Sequence, residues 1–290
     1  MMKPDDTINT APAKGTKEIF KECRTCSRTF ATILNRQFGH PRVPEEKAMN
    51  LMAGGILNQG YQCGMLWGAT LAVGAESFRR NEKAEDAIAV AVLATQHVVH
   101  SFLNLTHTLN CREIIGYDLS TLTGMAKFMI KTTIKGNENS RCFNLAEEWA
   151  PAAIDVATEM LAQKAEPKNG TQSCASEVVR QMGGSQEEMA MVAGFAGGLG
   201  LYGGACGALS AALWKNALDW CRENPDEDPP YFNTKTAKKM LKSFKAETNG
   251  KMRCSEICGK YFKDLGEHTD YVNRGGCKSL LGVLAGRIYD

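Results

Sequence analysis

The chain has 290 residues, 43% of them apolar and 23% charged, with a formal net charge of +2. This composition excludes a disordered chain, and the near-neutral balance excludes a global field that draws nucleic acid. The length allows two ordinary domains or one body made of two fused repeats.

The opening Met1-Met2-Lys3-Pro4-Asp5-Asp6 lacks the apolar core of a signal peptide, so the expected compartment is the cytoplasm. Apolar residues at helical spacing predict a first helix over 17–37, ended by Gly39-His40-Pro41. Pro44-Glu45-Glu46 suits the first turn of the next helix, because proline fits the first position and acids fit the positive end of the dipole. Two uncharged stretches, 48–75 and 189–214, are long enough to span a membrane. Glycines interrupt both, and the first carries Asn50, Asn58, Gln59 and Gln62. Each is read as two buried helices meeting at a glycine-rich elbow, with no integral membrane span. Helices are predicted next over 85–110, 119–135 and 145–163, and a linker over 165–170. The second half predicts helices over 174–182, 185–196, 206–222, 235–247, 254–265 and 277–289. Residues 224–230 are acidic and proline-rich, as in an exposed loop. Lys235, Lys238, Lys239, Lys242 and Lys245 form a solvated helix face, or a dock for an acidic redox partner. No alternating run predicts a strand.

The cysteines make the pattern double. Cys26, Cys63, Cys111 and Cys142 correspond to Cys174, Cys206, Cys254 and Cys277, and 48 residues separate the middle pair in each copy. The flanks agree, as in Asn110-Cys111-Arg112-Glu113-Ile114 and Arg253-Cys254-Ser255-Glu256-Ile257. The expected fold is all-α, with copies at 15–165 and 170–290 packed about a pseudo-twofold axis. Eleven cysteines cannot all pair, and Cys23, Cys221 and Cys258 stand outside the repeat.

Cys206 follows Gly203-Gly204-Ala205 and opens an apolar helix, and Cys63 follows Gly60-Tyr61-Gln62. Cys111 and Cys254 also stand at predicted helix starts, and Cys277 follows Gly275-Gly276. Unpaired N–H groups and partial positive charge at a helix start favour thiolate, which is the nucleophile and the metal ligand. The spacing is that of neither a zinc finger nor a ferredoxin run, so a single site would be assembled from distant helices. Four thiolates suit an iron–sulfur cluster or zinc, and two cycling thiol pairs suit the same residues.

Cys174, Gly203-x-x-Cys206-Gly207-Ala208, Cys254 and Cys277 resemble the redox-active protein family named for its C-GCAxxG-C-C pattern. The resemblance covers 170–290 well and 15–150 more loosely, as a fused pair of modules. Ala211 stands where the motif closes on glycine; the first copy keeps Gly68 but has Met65 where alanine is expected. The resemblance implies an iron–sulfur or thiol redox role carried by the four cysteines of each copy.

Several further groups are candidates. Cys23 and Cys258 could add a ligand or a resolving thiol to the first and second sets. His97, His100 and His107 share one side of the helix over 85–110, for a metal, an axial haem position, or a polar seam between the repeats. The chain has no Cys-x-x-Cys-His, so covalent haem is not expected. Gly198-x-Gly200-x-x-Gly203 matches a dinucleotide fingerprint but follows a helix rather than a strand, which argues against nucleotide binding.

The expected function is electron transfer through cysteine-ligated iron–sulfur clusters, one potential site per repeat, with a redox protein as partner and a homo-oligomer allowed. The alternatives are a metal-free thiol–disulfide oxidoreductase, in which Cys206 reacts faster than Cys221, and a structural zinc or metal-handling module. The glycines before Cys206 and Cys277 rank Cys174, Cys206, Cys254 and Cys277 as the principal metal site, since Ser140-Arg141 crowds Cys142.

Overall fold

Arg24 breaks the first predicted helix in two. It takes a left-handed conformation, φ 64°, and ends α1 (Thr16–Cys23). Thr25 then caps α2 (Cys26–Gln37), its side chain accepting from the Arg28 amide. Cys26 therefore opens a helix instead of lying inside one. The first copy continues through α3 (Val43–Ala48), a 3₁₀ turn (Met49–Met52), α4 (Gly64–Arg80), α5 (Ala84–Thr106), α6 (Cys111–Ile115), α7 (Leu122–Lys135) and α8 (Arg141–Leu161). The second runs α9 (Cys174–Gln181), α10 (Gln186–Met191), a 3₁₀ turn (Ala193–Phe195), α11 (Gly207–Glu223), α12 (Lys235–Glu247), α13 (Cys254–Cys258), α14 (Leu265–Asn273) and α15 (Lys278–Leu284). This computed structural model describes residues 15–163, 170–230 and 235–286, and among them there is no strand. The predicted linker lies, but for Gly170, outside the described residues, as does the end of the last predicted helix.

An offset of 143 residues carries α3 onto α10, α4 onto α11 and α6 onto α13. The contacts between copies are reciprocal. Helix α4 packs on α10 while α11 packs on α3, and each copy's 3₁₀ turn packs on the other's long helix. Reciprocity of this kind is what a twofold relation produces. Gly74 permits one of these approaches, since a Cβ there would meet the carbonyl oxygens of Ala190 and Met191 at 2.4 Å. Trp67 sets its ring edge-on to Phe195 at 4.9 Å across the interface. Trp214 donates its indole N–H to the Glu45 carbonyl at 3.2 Å.

The glycine-rich elbows are left-handed turns. Residues 54–58 have φ between 49° and 75°, and residues 197–201 have φ between 59° and 78°. The non-glycine members cost about 1–2 kcal/mol each in this conformation. Ile56 and Leu199 are fully buried, and burying such a side chain returns about 1.5–3 kcal/mol. Glycine is required at Gly55 and Gly198, where a Cβ would meet the backbone of Tyr61 and Gly204 at 2.4 Å. The dinucleotide-like glycines therefore build a turn.

Helix α5 is long and apolar enough to cross a membrane by length and composition. Here it packs against α4 and α8 and buries Val98, Val99 and Phe102. Phe30 stacks on Trp149 and Phe102 meets it edge to face, with ring centroids 4.7 Å apart in both pairs, and so the three rings join α2, α8 and α5.

Candidate functional site

All eight repeated cysteines stand at helix starts. Cys26 and Cys174 are the first residues of α2 and α9, behind the capping side chains of Thr25 and Ser173. Cys63 and Cys206 are the N-cap residues of α4 and α11. Cys111 and Cys254 open α6 and α13. Cys142 is the second residue of α8, and Cys277 caps α15. Short two-way backbone pairings bring the second and third thiols of each copy side by side. The Cys63 amide donates to the Leu109 carbonyl and the Cys111 amide to the Tyr61 carbonyl, both at 2.7 Å. In the second copy Cys206 donates to Met252 at 2.9 Å and Cys254 to Gly204 at 2.6 Å.

The left-handed turns aim at the first thiol of each set. The Gly54 amide donates to the Cys26 sulfur and the Gly197 amide to the Cys174 sulfur. The amides at the starts of α4 and α11 reach the sulfurs of Cys63 and Cys206 in the same way. A sulfur bonded by backbone N–H groups is stabilised as thiolate or as a metal ligand.

Cys26, Cys63, Cys111 and Cys142 all line one cavity of about 930 Å³. Cys26 and Cys63 are hydrogen-bonded, which pulls Cys26 below the ordinary thiol value and pushes Cys63 well above it. Burial pushes Cys111 well up and Cys142 up to about 12. Asn50 lines the same cavity and is 2% exposed; its Oδ1 accepts from Thr25 at 2.8 Å, but its Nδ2 has no partner.

The second set also assembles, with one more member. The thiols of Cys174, Cys206, Cys254, Cys258 and Cys277 lie within electrostatic reach of one another. Cys254 and Cys258 Sγ are 3.8 Å apart. Cys254, then Cys277, hydrogen-bonds the Cys258 sulfur and drives it well below the ordinary thiol range, with Tyr271 adding to the effect. Burial holds Cys174 at about 11 and Cys206 at about 12. His268, 1% exposed, is pushed down to about 4 by burial, and its Nδ1 is unpartnered.

Other sequence candidates stand apart. Cys23 ends α1 and hydrogen-bonds Thr32 at 3.5 Å, away from the first set's cavity. His97, His100 and His107 are exposed, because α5 turns Val98, Val99 and Phe102 inward instead. Cys206 is 6% exposed as well as raised, so the structure does not make it the reactive thiol; Cys26 and Cys258 are the depressed and half-buried ones. Among the described residues no three His, Cys, Asp or Glu side chains are arranged around a single metal ion. The cavity itself was not foreseen, nor was Asn50 as part of it.

The model of the family described as "Putative redox-active protein (C_GCAxxG_C_C)" matches residues 24–156 and again residues 169–289. The chain belongs to this family. It carries the family's module twice, and the family supports a redox role for the chain. No match was found among curated proteins or among solved structures.

Proposed function

We propose that the chain is an electron-transfer protein whose first module holds an iron–sulfur cluster on Cys26, Cys63, Cys111 and Cys142. The observation that carries this reading is the convergence of four helix-start thiols on one cavity. A cluster holds its thiolates farther apart than a single ion does, because irons and sulfides lie between them. That fits a set in which, among the described residues, no three side chains surround a single ion. The raised values of Cys63, Cys111 and Cys142 say that three thiolates are not tolerated there without positive charge. Bound iron supplies that charge and one-electron chemistry. The residues of the chain hold and tune the sulfurs: the Gly54, Ser27 and Met65 amides point at them. The cytoplasm, which keeps such thiols reduced, and a redox protein as partner belong to the same reading.

The second set, Cys174, Cys206, Cys254 and Cys277, supports a different use because Cys258 joins it. There the Cys258 thiolate attacks a partner disulfide and the partner's first thiolate leaves. Cys254, 3.8 Å away, then attacks the mixed disulfide, so that a Cys254–Cys258 disulfide forms and the partner leaves as a dithiol. Anaerobic purification tests both uses. The cluster reading expects a brown protein with iron and acid-labile sulfide. A colourless protein without sulfide, in which Cys258 alkylates first, would leave thiol–disulfide exchange as the function.

A further inference from the structure

The cavity of the first module is larger than its thiols require. At about 930 Å³ it stands at the upper end of pockets that hold organic ligands. A cluster of a few irons and sulfides would occupy a minor part of it. Its walls are mainly apolar and aromatic, including Phe20, Leu57, Met65, Met125, Phe128 and Phe143. Phe20 and Phe143 stack with centroids 4.1 Å apart, which makes a flat, stiff wall. Of the polar residues on the lining, Arg24 and Asn50 bear on a ligand. Arg24 lines the cavity, is exposed, and has no ion-pair partner among the described residues. Asn50 lines it from a buried position and carries an Nδ2 with no partner. A buried donor left unpaired costs about 1–3 kcal/mol, which an acceptor on a ligand would remove. Lys21 is already bound to Glu138 at 2.8 Å, both on the lining, so Arg24 is the cation left for an anion.

Helix α7 closes one side. Met125, Phe128 and Thr132 face the cavity, while Leu122, Met129, Ile130 and Ile134 are exposed, Leu122 at 92% and Ile134 at 80%. A helix apolar on both faces is held weakly by water and can yield to an entering molecule.

We propose that this cavity binds, beside the four thiols, an organic molecule with a large apolar body and one anionic group. The apolar body lies on the Phe20–Phe143 wall under α7, the anion meets Arg24, and an acceptor atom takes the Asn50 donor. Binding does not require the cluster, so it stands or falls apart from the proposed function.

The test uses the full chain and two fluorescent probes, 1-anilinonaphthalene-8-sulfonate and its uncharged counterpart N-phenyl-1-naphthylamine. Iron and sulfide are assayed on the same samples. The expected result is one saturable site per chain for the anionic probe. Arg24→Glu weakens the anionic probe at least tenfold and leaves the uncharged one unchanged. Phe128→Arg, at a half-buried position, abolishes both. Ile134→Arg, on the outer face of α7, changes neither. Unsaturable binding, equal loss of both probes in Arg24→Glu, indifference to Phe128→Arg, or loss in Ile134→Arg would each overturn the proposal. Probe binding by protein without iron would sink the cluster reading alone; iron-loaded protein that binds no probe would sink this one alone.

Discussion

A Cβ on Gly64 would stand 2.6 Å from the Cys26 sulfur, and one on Gly68 would stand 2.0 Å from the Ser27 carbonyl. The glycines after Cys63 thus let α4 lie against the start of α2. At the corresponding place in α11 the chain has Ala211, fully buried, so the motif's closing glycine sets a helix contact and is not itself part of the thiol site. One residue-scale signal was present but overridden. Thr25 and Ser173 each precede the first cysteine of a copy, and both are good N-caps. In the first copy the apolar period ran through Arg24 and hid the break. His268 gives a prediction at this scale. Its folded value is about 4 against an ordinary 6.5, so below pH 6.5 the unfolded chain takes a proton that the folded chain refuses. Its full stability is present above pH 6.5 and is lost as the pH falls toward 4, at about 1.4 kcal/mol per unit. Urea unfolding at pH 7 and pH 5 should show a drop that is roughly 2 kcal/mol smaller in His268→Leu than in the parent. Equal drops in the two proteins would refute the assignment.

At the scale of elements, the two left-handed turns organise the molecule, and one side chain ties them together. Gln62, next to Cys63, accepts from the Ala205 amide at 3.0 Å and donates to the Gly198 carbonyl at 3.2 Å. Ala205 is next to Cys206, so a single buried amide links the two thiol sites. Its counterpart in the second copy is Ala205 itself, which has no such side chain. Replacing Gln62 by Met keeps the volume but strands a buried N–H and C=O, at a cost of about 1–3 kcal/mol. A denaturation midpoint unchanged from the parent would show the clamp to be idle. The turns were legible as glycine-rich elbows but not as left-handed ones, because Ile56, Leu57 and Leu199 are residues that avoid this conformation when tertiary burial does not impose it. The cavity has a similar history. From Cys111 to Cys142 there are 31 residues, against 23 from Cys254 to Cys277. The longer interval holds the longer α7, which covers the cavity. The unequal interval was visible in the sequence, but its consequence is a packing outcome that spacing alone does not state.

In the whole molecule the copies are related yet not equivalent. The acidic loop of the second copy is exposed, as expected, and is also strapped to the first: Asp228 pairs with Arg28 at 2.9 Å, and Lys47 donates to the Pro225 and Glu227 carbonyls at 3.0 Å. The all-α class, the duplication and the grouping of thiols could be read from periodicity and cysteine spacing, since both are one-dimensional signals. The ranking of the two sites could not, because it depends on empty space and on Cys258, whose partners Cys254, Cys277 and Tyr271 come from α13, the start of α15 and α14. The glycines that favoured the second set do other work: a Cβ on Gly276 would meet the Tyr271 ring at 2.3 Å, so that glycine accommodates an aromatic ring. The central claim is that the first module holds the cluster. Iron and acid-labile sulfide, measured per chain after anaerobic purification of the parent, Cys63→Ser and Cys206→Ser, test it most directly. Cys63→Ser is expected to lose most of both, while Cys206→Ser keeps most of both. Equal losses, a greater loss from Cys206→Ser, or a parent protein without sulfide would contradict it.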